Sequence, residues 1–373
     1  MTLRLKSLSA AYRIRHDELA GAAQISRPAL SSLIHHSVLP ARYDRAAVEA
    51  RITTFLRQRG VPQASDWLGT TPEPITTEDT AMLLRKQNLT PQARRHFQLG
   101  GDPFAEPTCS DDVFLSPDIR YVRESMYQVA RHGGFMAVIG ESGAGKSTLR
   151  EELADRIRRE EQAVILIEPY VLAMEGTDQV GKTLRSPHIA EAIMACVAPL
   201  AKTKSSPEAR FRQLHESLRD SSRAGHSHVL VIEEAHSLPL ATLKHLKRFR
   251  ELKDGLRPLL SVILIGQPEL AVKLSEHNPE VREVVQRIEI VTLPSLGTNL
   301  GEYLTHRFRR VGMPLEKVAD RGALEALRSK LTPTRSEGSL LYPLAVHNAL
   351  AAAMNRAADL GVPMVTADVM RGV

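Results

Sequence analysis

The stretch Gly140-Glu-Ser-Gly-Ala-Gly-Lys-Ser147 fits the pattern G-x-x-x-x-G-K-S/T at every fixed position. Glycines at these positions let the backbone curl, so that successive N–H groups point into one concavity and hold phosphate oxygens. In such loops the lysine reaches the β- and γ-phosphates and the next hydroxyl ligates Mg²⁺, which are the roles predicted for Lys146 and Ser147. The stretch therefore predicts a site for ATP and Mg²⁺. The predicted nucleotide-binding residues are Gly140, Glu141, Ser142, Gly143, Ala144, Gly145, Lys146, Ser147 and Thr148.

The segments on either side of this loop agree with that interpretation. Phe135–Ile139 is a short apolar run, typical of a buried strand that leads into the loop. Apolar residues at helical spacing from Thr148 to Ile157 predict a helix whose N-terminus faces the phosphates. A chance glycine-rich turn is the alternative, and the order of strand, loop and helix argues against it.

A second apolar strand, Val229–Ile232, ends in two adjacent carboxylates. After a phosphate-binding loop, at a separation expected within one nucleotide-binding domain, such a pair serves the metal and the attacking water. We predict that Glu233 holds Mg²⁺ and that Glu234 orients and deprotonates the water. Asp is more usual at the first position. Two acids that only cap the end of a strand are the alternative.

Two further side chains are candidates for the chemistry. Gln267 follows the next predicted strand. A side-chain amide at this place can sense the γ-phosphate or position water. A turn residue with no catalytic role is the alternative. Arg282 and Arg287 precede the last core strand. In ring-forming ATPases an arginine at this place reaches the γ-phosphate of the neighbouring subunit. We assign that role to Arg287, with a surface arginine as the alternative.

The composition is typical of an ordinary globular protein. Charged residues make up 25% of the 373-residue chain. No apolar run approaches the roughly 18 residues needed to cross a bilayer, and the N-terminus lacks the apolar core of a signal peptide. Cys109 and Cys196 are the only cysteines and show no metal-ligand spacing. We therefore expect a protein of the bacterial cytoplasm without a membrane partner.

Positive charge is concentrated near the N-terminus. The first 60 residues contain ten Lys or Arg and four acids, whereas the net charge of the whole chain is +6, so the remainder is neutral. A basic module attached to a neutral body is typical of a protein that binds a polyanion, most often nucleic acid. A basic surface exposed to solvent without a partner is the alternative.

Within this module, residues 16–34 resemble a repressor-type helix-turn-helix. Leu19 and Ala20 would pack the first helix, and Ser26 would cap the second. Ala23 and Gln24 stand in the turn, where the pattern usually has glycine. A helical hairpin that contacts protein is the alternative. If the motif binds DNA, the residues that face the groove are Arg27, Ser31, Ser32 and His35.

Composition and periodicity divide the chain into four segments. These are a basic all-α domain at 1–60, a linker rich in Pro, Thr and Gly at 61–110 with a helix near Glu78–Gln87, a core at 111–295 and a helical lid at 296–373. Strands that alternate with helices in the core predict an α/β fold of three layers, with a parallel sheet covered on both faces. The predicted strands are Phe135–Ile139, Ala163–Glu168, His228–Ile232, Leu260–Ile265 and Ile288–Leu293. The predicted lid helices are Asn299–Val311, Asp320–Lys330 and Tyr342–Leu360.

The order of these motifs resembles the AAA+ ATPases of the ExeA and transposition-protein group over roughly residues 100–350. The most specific elements are the phosphate-binding loop and Gly266-Gln-Pro-Glu-Leu270. With a basic module ahead of the core, the arrangement is similar to the MuB-type target-capture ATPases of Mu-like transposing phages. That resemblance implies an AAA+ core and lid, and a homo-oligomer, ring or filament, on double-stranded DNA with little sequence preference. It also implies recruitment of a DDE transposase, with ATP hydrolysis driving disassembly.

The resemblance leaves several assignments open. Core contact with DNA needs basic residues on a loop, and Lys182, Thr183 and Arg185 are the candidates. Leu344 stands where many AAA+ lids carry a sensor arginine, and Arg335 is a nearby candidate to replace it. Two alternative functions are an ExeA-like ATPase of secretion assembly and a nucleotide-switched helix-turn-helix regulator of one operator.

Overall fold

A computed structural model describes residues 16–36, 43–59, 87–169, 184–275, 281–332 and 339–373, together with positions 5, 14 and 40. The chain divides into two compact units, Met1–Met82 and Leu83–Val373. The helix predicted near Glu78–Gln87 lies, apart from its last residue, outside the described residues. Among the described residues, no helix combines the length and apolar character needed to cross a membrane.

The first unit contains three described helices around one small core. They are α1 His16–Ala23, α2 Arg27–His36 and α3 Arg45–Gln58. Leu19, Leu30 and Ile52 are fully buried where the helices meet. α1 stops because Gln24 adopts a left-handed φ of +54°, and the Ile25 N–H then donates to the Ala20 carbonyl at 3.0 Å. Gln24 thus takes the conformation that glycine adopts without strain.

The second unit is built on a five-stranded parallel sheet. Each of the five predicted strands is present, with bounds within one residue of the prediction. From its start to the end of the sheet, the described helices and strands of this unit are α4 Pro91–His96, α5 Pro117–His132, β1 Phe135–Ile139, α6 Lys146–Arg159, β2 Val164–Ile167, α7 Ser186–Val197, α8 Pro207–Arg223, β3 Ser227–Ile232, α9 Leu240–Arg250, β4 Lys253–Asp254, β5 Arg257–Pro258, β6 Ser261–Gly266, α10 Glu269–Lys273, α11 Arg282–Val285 and β7 Glu289–Thr292. The strand order in the sheet is β2-β3-β6-β1-β7.

Alternation of side chains along the strands creates two apolar layers, one on each face of the sheet. On β3, Val229 and Val231 point to the layer that contains α5 and α6. Leu230 and Ile232 point to the opposite layer, which contains α7, α8 and α9. A sheet buried on both faces needs apolar residues at consecutive positions, which is why these strands are continuous apolar runs. The predicted three-layer α/β core is confirmed.

A bundle of helices follows the sheet and forms its own apolar core. Its helices are α12 Leu300–Arg309, α13 Arg321–Leu331, α14 Pro343–Leu360 and α15 Ala367–Arg371. α4 belongs to the same bundle, since Leu89, Ala93 and Phe97 are buried against it. These residues fall within the predicted linker, 61–110. Thr90 caps α4 and Pro91 is its first residue, so the Thr and Pro residues mark the start of a helix here.

Residues 102–112 cross from α4 to the core and are tied to α12 by two arginines. Arg307 is buried and donates to the carbonyls of Pro103, at 2.8 Å, and Ala105. Arg310 pairs with Asp112 at 2.9 Å. A hydrogen bond from the Thr108 backbone N–H, with smaller help from Arg310, lowers the pKa of Asp112 to about 2. These contacts fix the segment that leads into α5.

We predict that His347, inside this bundle, makes the stability of the second unit dependent on pH. Its Nε2 lies 2.5 Å from the Tyr303 hydroxyl, and burial, then Arg307 and Arg310, lower the pKa of His347 from 6.5 to about 3. Between these pKa values the unfolded chain binds one more proton than the folded chain, so acidification favours unfolding. His347→Gln keeps a hydrogen-bonding group but does not titrate.

Urea unfolding of the two proteins at pH 7.5, 6.5 and 5.5 measures this effect. Well below pH 6.5 the parent should lose up to about 1.4 kcal/mol per pH unit more than His347→Gln. Parallel pH dependences in the two proteins would contradict the prediction.

Candidate functional site

The glycine-rich loop lies at the carboxyl edge of the sheet, between β1 and α6. All five residues of β1 are buried, and the Gly140 N–H continues the ladder by donating to the Gly266 carbonyl at 3.1 Å. Gly143 and Gly145 adopt left-handed φ angles of +75° and +94°. These angles turn the chain from the strand into α6, which begins at Lys146. The predicted nucleotide-binding residues thus form one loop and the first turn of one helix.

Lys146 is folded onto this loop. Its Nζ donates to the carbonyls of Gly140 and Glu141, both at 2.8 Å, and the side chain is buried. Burial lowers the pKa of Lys146, while the negative charge of Glu234 is the largest of the effects that raise it. Lys146 is thus a buried cation surrounded by carbonyl oxygens and carboxylates. After leaving the two carbonyls, its ammonium group would complement the negative charge of a triphosphate.

The lid helix α14 begins directly against the same loop. The Leu344 N–H donates to the Gly143 carbonyl at 3.3 Å. A Cβ atom on Gly143 would lie 2.3 Å from the Leu344 Cβ, so a side chain at Gly143 requires the two segments to separate. The residue at the expected sensor position therefore offers an apolar side chain, and Arg335 lies outside the described residues.

The two predicted acids follow β3 at the same edge of the sheet. Glu233 is half-buried, and its Oε2 lies 3.2 Å from Nε of Arg150 on α6. Arg150 also pairs with Glu168, which follows β2, at 2.7 Å. The sequence reasoning missed Arg150, because only the fold shows that the third residue after Ser147 faces both strand ends. The arginine supplies positive charge where the metal was predicted.

The protein oxygens near the loop fit a magnesium ion whose other ligands are phosphate oxygens and water. Among the described residues, no group of three or more His, Cys, Asp or Glu side chains could hold a metal ion. Mg²⁺ at nucleotide sites is bound by one or two protein oxygens together with substrate phosphates and water. The Ser147 hydroxyl, exposed at the start of α6, and the Glu233 carboxylate are protein oxygens of that kind.

Glu234 has an unusual backbone conformation and a histidine neighbour. Its φ is +49°, and the Ser237 N–H and hydroxyl hold its carbonyl at 2.9 and 2.8 Å. Non-glycine residues rarely adopt this φ, and such strain concentrates at functional positions. His236 Nε2 lies 3.5 Å from the Glu234 carboxylate. The Gln267 N–H donates to His236 Nδ1 at 3.4 Å, so the ring proton is on Nε2, facing the carboxylate.

His236 is therefore a site residue whose position the sequence did not predict. It links the acid after β3 to the polar residue after β6, and Lys273 fixes its backbone by donating to the carbonyls of His236 and Leu238. Gln267 joins the site through its backbone N–H, and its side chain is half-buried. Spacing alone carries no signal for such a bridge between two strand ends.

Arg287 lies at the other edge of the sheet. It precedes β7, whereas the glycine-rich loop follows β1, and the two strands are parallel neighbours. A strand of this length separates the two edges by about 16 Å. Arg287 Nη1 lies 3.6 Å from Glu251 Oε1 and the side chain is exposed. Arg287 therefore does not join the loop of its own chain.

The structure describes the side chains of four of the seven residues predicted to contact DNA. Arg27 forms an ion pair with Asp17, Ser31 is exposed and Ser32 is half-buried. Arg185 is exposed where α7 begins. The His35 side chain and the residues Lys182 and Thr183 lie outside the described part of the chain. DNA contact by these residues stays a prediction.

The comparison with known proteins gives matches to the part of the chain that contains the sheet. Residues 129–274 match the model of the AAA domain family. General secretion pathway protein A of Aeromonas hydrophila is 25% identical over 192 residues, which are 50% of this chain and 32% of that protein. The chain therefore matches about a third of that relative's length. Residues 129–274 are thus similar to an AAA domain, and they include the glycine-rich loop and the acid pair.

Two solved structures are reported as similar to this chain, each with a TM-score below 0.5. The ORC2 protein of Aeropyrum pernix, in complexes with ADPNP and ADP, has a TM-score of 0.48 and 17% identity, and covers 73% of this chain and 70% of its own. Cdc6p of Pyrobaculum aerophilum has a TM-score of 0.47 and 14% identity, and covers 70% of this chain and 67% of its own.

We predict that Gly143→Ala destabilises the nucleotide-free protein more than Gly145→Ala. Both substitutions place a side chain at a left-handed φ, which costs about 1–2 kcal/mol. Only the first also overlaps another residue, since nothing lies within 4 Å of a Cβ on Gly145. That overlap should add about 1–3 kcal/mol. Urea unfolding without nucleotide measures the difference, and equal losses would contradict the packing of Leu344 on the loop.

Proposed function

We propose that the chain is an ATPase that assembles with ATP on duplex DNA and delivers that DNA to a DDE transposase. The observation that carries the enzymatic part is the meeting of Lys146, Glu233 and Glu234 at one edge of the sheet. Arg287 at the opposite edge supports assembly, because it can act only on a nucleotide bound to another copy. The basic charge of the first 60 residues supports a nucleic-acid partner.

In this proposal Lys146 leaves the carbonyls of Gly140 and Glu141 to bind the β- and γ-phosphates. The loop N–H groups hold the remaining phosphate oxygens. Ser147 and Glu233 would hold Mg²⁺, which supplies positive charge to the β- and γ-phosphates. Arg150 would then keep its contact with Glu168 and give up the one with Glu233. The arginine thus stabilises the acid pair in the nucleotide-free protein.

Hydrolysis needs one water and one base. Glu234 would accept a proton from the water as its oxygen bonds to the γ-phosphorus. The bond between that phosphorus and the β–γ bridging oxygen breaks, and ADP and phosphate form. His236 Nε2, which lies 3.5 Å from the Glu234 carboxylate, would orient that carboxylate for this step. Gln267, held by the same ring, would position the water or sense the γ-phosphate.

A second candidate function has one observation in its favour. The relative with 192 matching residues is a general secretion pathway protein, so an ATPase of secretion assembly would use the same nucleotide site. A third candidate, a nucleotide-switched regulator, is supported by the two helices His16–Ala23 and Arg27–His36. The three candidates differ in what they predict for DNA.

We predict that two substitutions in the nucleotide site affect different quantities, ATP affinity in one case and turnover in the other. Lys146→Ala removes a charged donor to phosphate, so ATP affinity should fall by about 10- to 100-fold or more. Glu234→Gln removes the base but leaves the phosphate ligands. ATP affinity should therefore be unchanged, while kcat falls by about 10²- to 10⁴-fold. Binding of a fluorescent ATP analogue and phosphate release measure the two quantities. Turnover at the parental rate in Glu234→Gln would show that Glu234 is not the base.

We predict that ATP increases affinity for duplex DNA of any sequence, and that added salt weakens it steeply. The affinity depends on salt because phosphate contacts release counterions. Binding to a labelled duplex with ATP, with ADP and without nucleotide measures the first effect, and Lys146→Ala is the matched control. Footprinting separates the candidates: continuous protection supports the proposal, one protected operator supports the regulator, and no binding in any nucleotide state supports the secretion function.

A further inference from the structure

Arg150 lies at the carboxyl edge of the sheet, four residues after Lys146 on α6. Residues four apart on a helix share one face, so the two cations stand side by side near the glycine-rich loop. The Arg150 side chain is 20% exposed. Its Nε atom is buried and has no hydrogen-bond partner among the described residues. Arg150 is therefore a partly unsatisfied cation beside the predicted metal position.

Three carboxylates surround this guanidinium, and they are not held equally. Nη1 donates to Glu168 at 2.7 Å, and Nη2 donates to Glu151 at 3.1 Å. Glu233 Oε2 lies 3.2 Å from Nε, but this contact is not a hydrogen bond. Glu233 is thus attracted by charge alone and can leave Arg150 without breaking a hydrogen bond. The acid predicted to hold the metal is the one that Arg150 releases most easily.

The positive charge around Glu233 opposes a metal ion that arrives alone. Burial lowers the pKa of Lys146, and Glu233 is among the carboxylates that oppose this effect, so Glu233 interacts with both cations. A free divalent ion at Glu233 would be repelled by Arg150 and by Lys146. A triphosphate reverses this balance, because its negative charge attracts both the metal and Lys146. Metal binding by Glu233 should therefore require the nucleotide.

We propose that Arg150 is a positioning residue that makes metal binding by Glu233 depend on bound triphosphate. In the nucleotide-free protein, the charge of Arg150 keeps Glu233 from a free divalent ion. When the triphosphate brings the metal, Glu233 leaves Arg150, and Glu168 and Glu151 retain the arginine. The inference rests on the proposed function in one respect, that the loop binds ATP with Mg²⁺. Its new content is that the chain rejects the metal alone and that Glu168, after β2, takes part in the exchange.

Metal binding distinguishes this role from a purely structural one. Arg150 also ties α6 to the ends of β2 and β3, and a tie of that kind would affect stability without affecting the nucleotide requirement of the metal. Mn²⁺ is the probe, because the electron paramagnetic resonance signal of free Mn²⁺ decreases as the ion binds. The signal is recorded without nucleotide and with one equivalent of a non-hydrolysable ATP analogue.

The first comparison is made without nucleotide. Arg150→Gln removes the charge but keeps a hydrogen-bonding amide. Arg156→Gln is the matched control, since Arg156 lies on the same helix and pairs with Glu124 and Glu160, both at 2.8 Å. Arg150→Gln should bind Mn²⁺ about tenfold or more tightly than the parent, because a charge within about 4–6 Å changes the binding of even one proton by that factor. Arg156→Gln should match the parent, and adding Glu233→Gln to Arg150→Gln should abolish the gain.

A double-mutant cycle tests the exchange in the presence of the ATP analogue. Glu168→Gln should weaken Mn²⁺ binding by about tenfold, because Arg150 then competes more strongly for Glu233. In the Arg150→Gln background, the same substitution should have little effect, since the competitor is absent. A loss of equal size in both backgrounds would mean that Glu168 acts on the metal directly, and it would contradict the exchange.

The inference is overturned if Arg150→Gln binds Mn²⁺ without nucleotide no better than the parent, or if the parent binds Mn²⁺ equally well with and without nucleotide. Should Arg150→Gln fail to fold, Glu168→Gln decides alone: weakened Mn²⁺ binding supports the exchange, and parental affinity overturns it. A fluorescent ATP analogue measures nucleotide binding separately. Its failure to bind the parent would contradict the proposed function, while the comparison without nucleotide would still test Arg150.

Discussion

All five strands of the sheet run in the same direction, and this common direction positions the candidate functional site. Because β1, β3 and β6 are parallel neighbours, the segments that follow them meet at one edge of the sheet. That edge receives the glycine-rich loop, the acid pair and Gln267. The segments that precede the strands meet at the opposite edge, where Arg287 precedes β7. The sheet therefore separates the glycine-rich loop from Arg287 of the same chain.

Contacts within the chain order the glycine-rich loop and the acid pair. Lys146 donates to the carbonyls of Gly140 and Glu141, and Arg150 lies beside Glu233. At the start of α14, the Leu344 N–H donates to the Gly143 carbonyl. These contacts join the loop, α6, α14 and the end of β3 at one edge of the sheet.

Much of the core could be predicted from the sequence, and the reasons are local. Strands such as Val229–Ile232 are covered on both faces, so every position is apolar and the run is easy to recognise. The loop from Gly140 to Ser147 needs left-handed angles that leave glycine as the unstrained choice. The helix that begins at Thr90 and Pro91 is harder to recognise from the sequence, because the residue types that cap helices are also common in linkers.

The parts that could not be predicted depend on contacts between distant segments. Nothing in the spacing of His236 shows that its ring lies between Glu234 and the Gln267 backbone. Likewise, Arg150 meets both Glu168 and Glu233 because β2 and β3, which these two acids follow, are neighbours in the sheet. Such features follow from the fold, which the chain order alone does not specify.

We propose that nucleotide bound at the glycine-rich loop of one copy contacts Arg287 of the next copy, and that the resulting assembly holds DNA. Electron cryomicroscopy of the purified protein with a non-hydrolysable ATP analogue and long duplex DNA tests this claim most directly. We expect continuous rings or filaments on the duplex, with Arg287 of one copy at the terminal phosphate bound by its neighbour. Separate particles on DNA, identical with and without nucleotide, would contradict it.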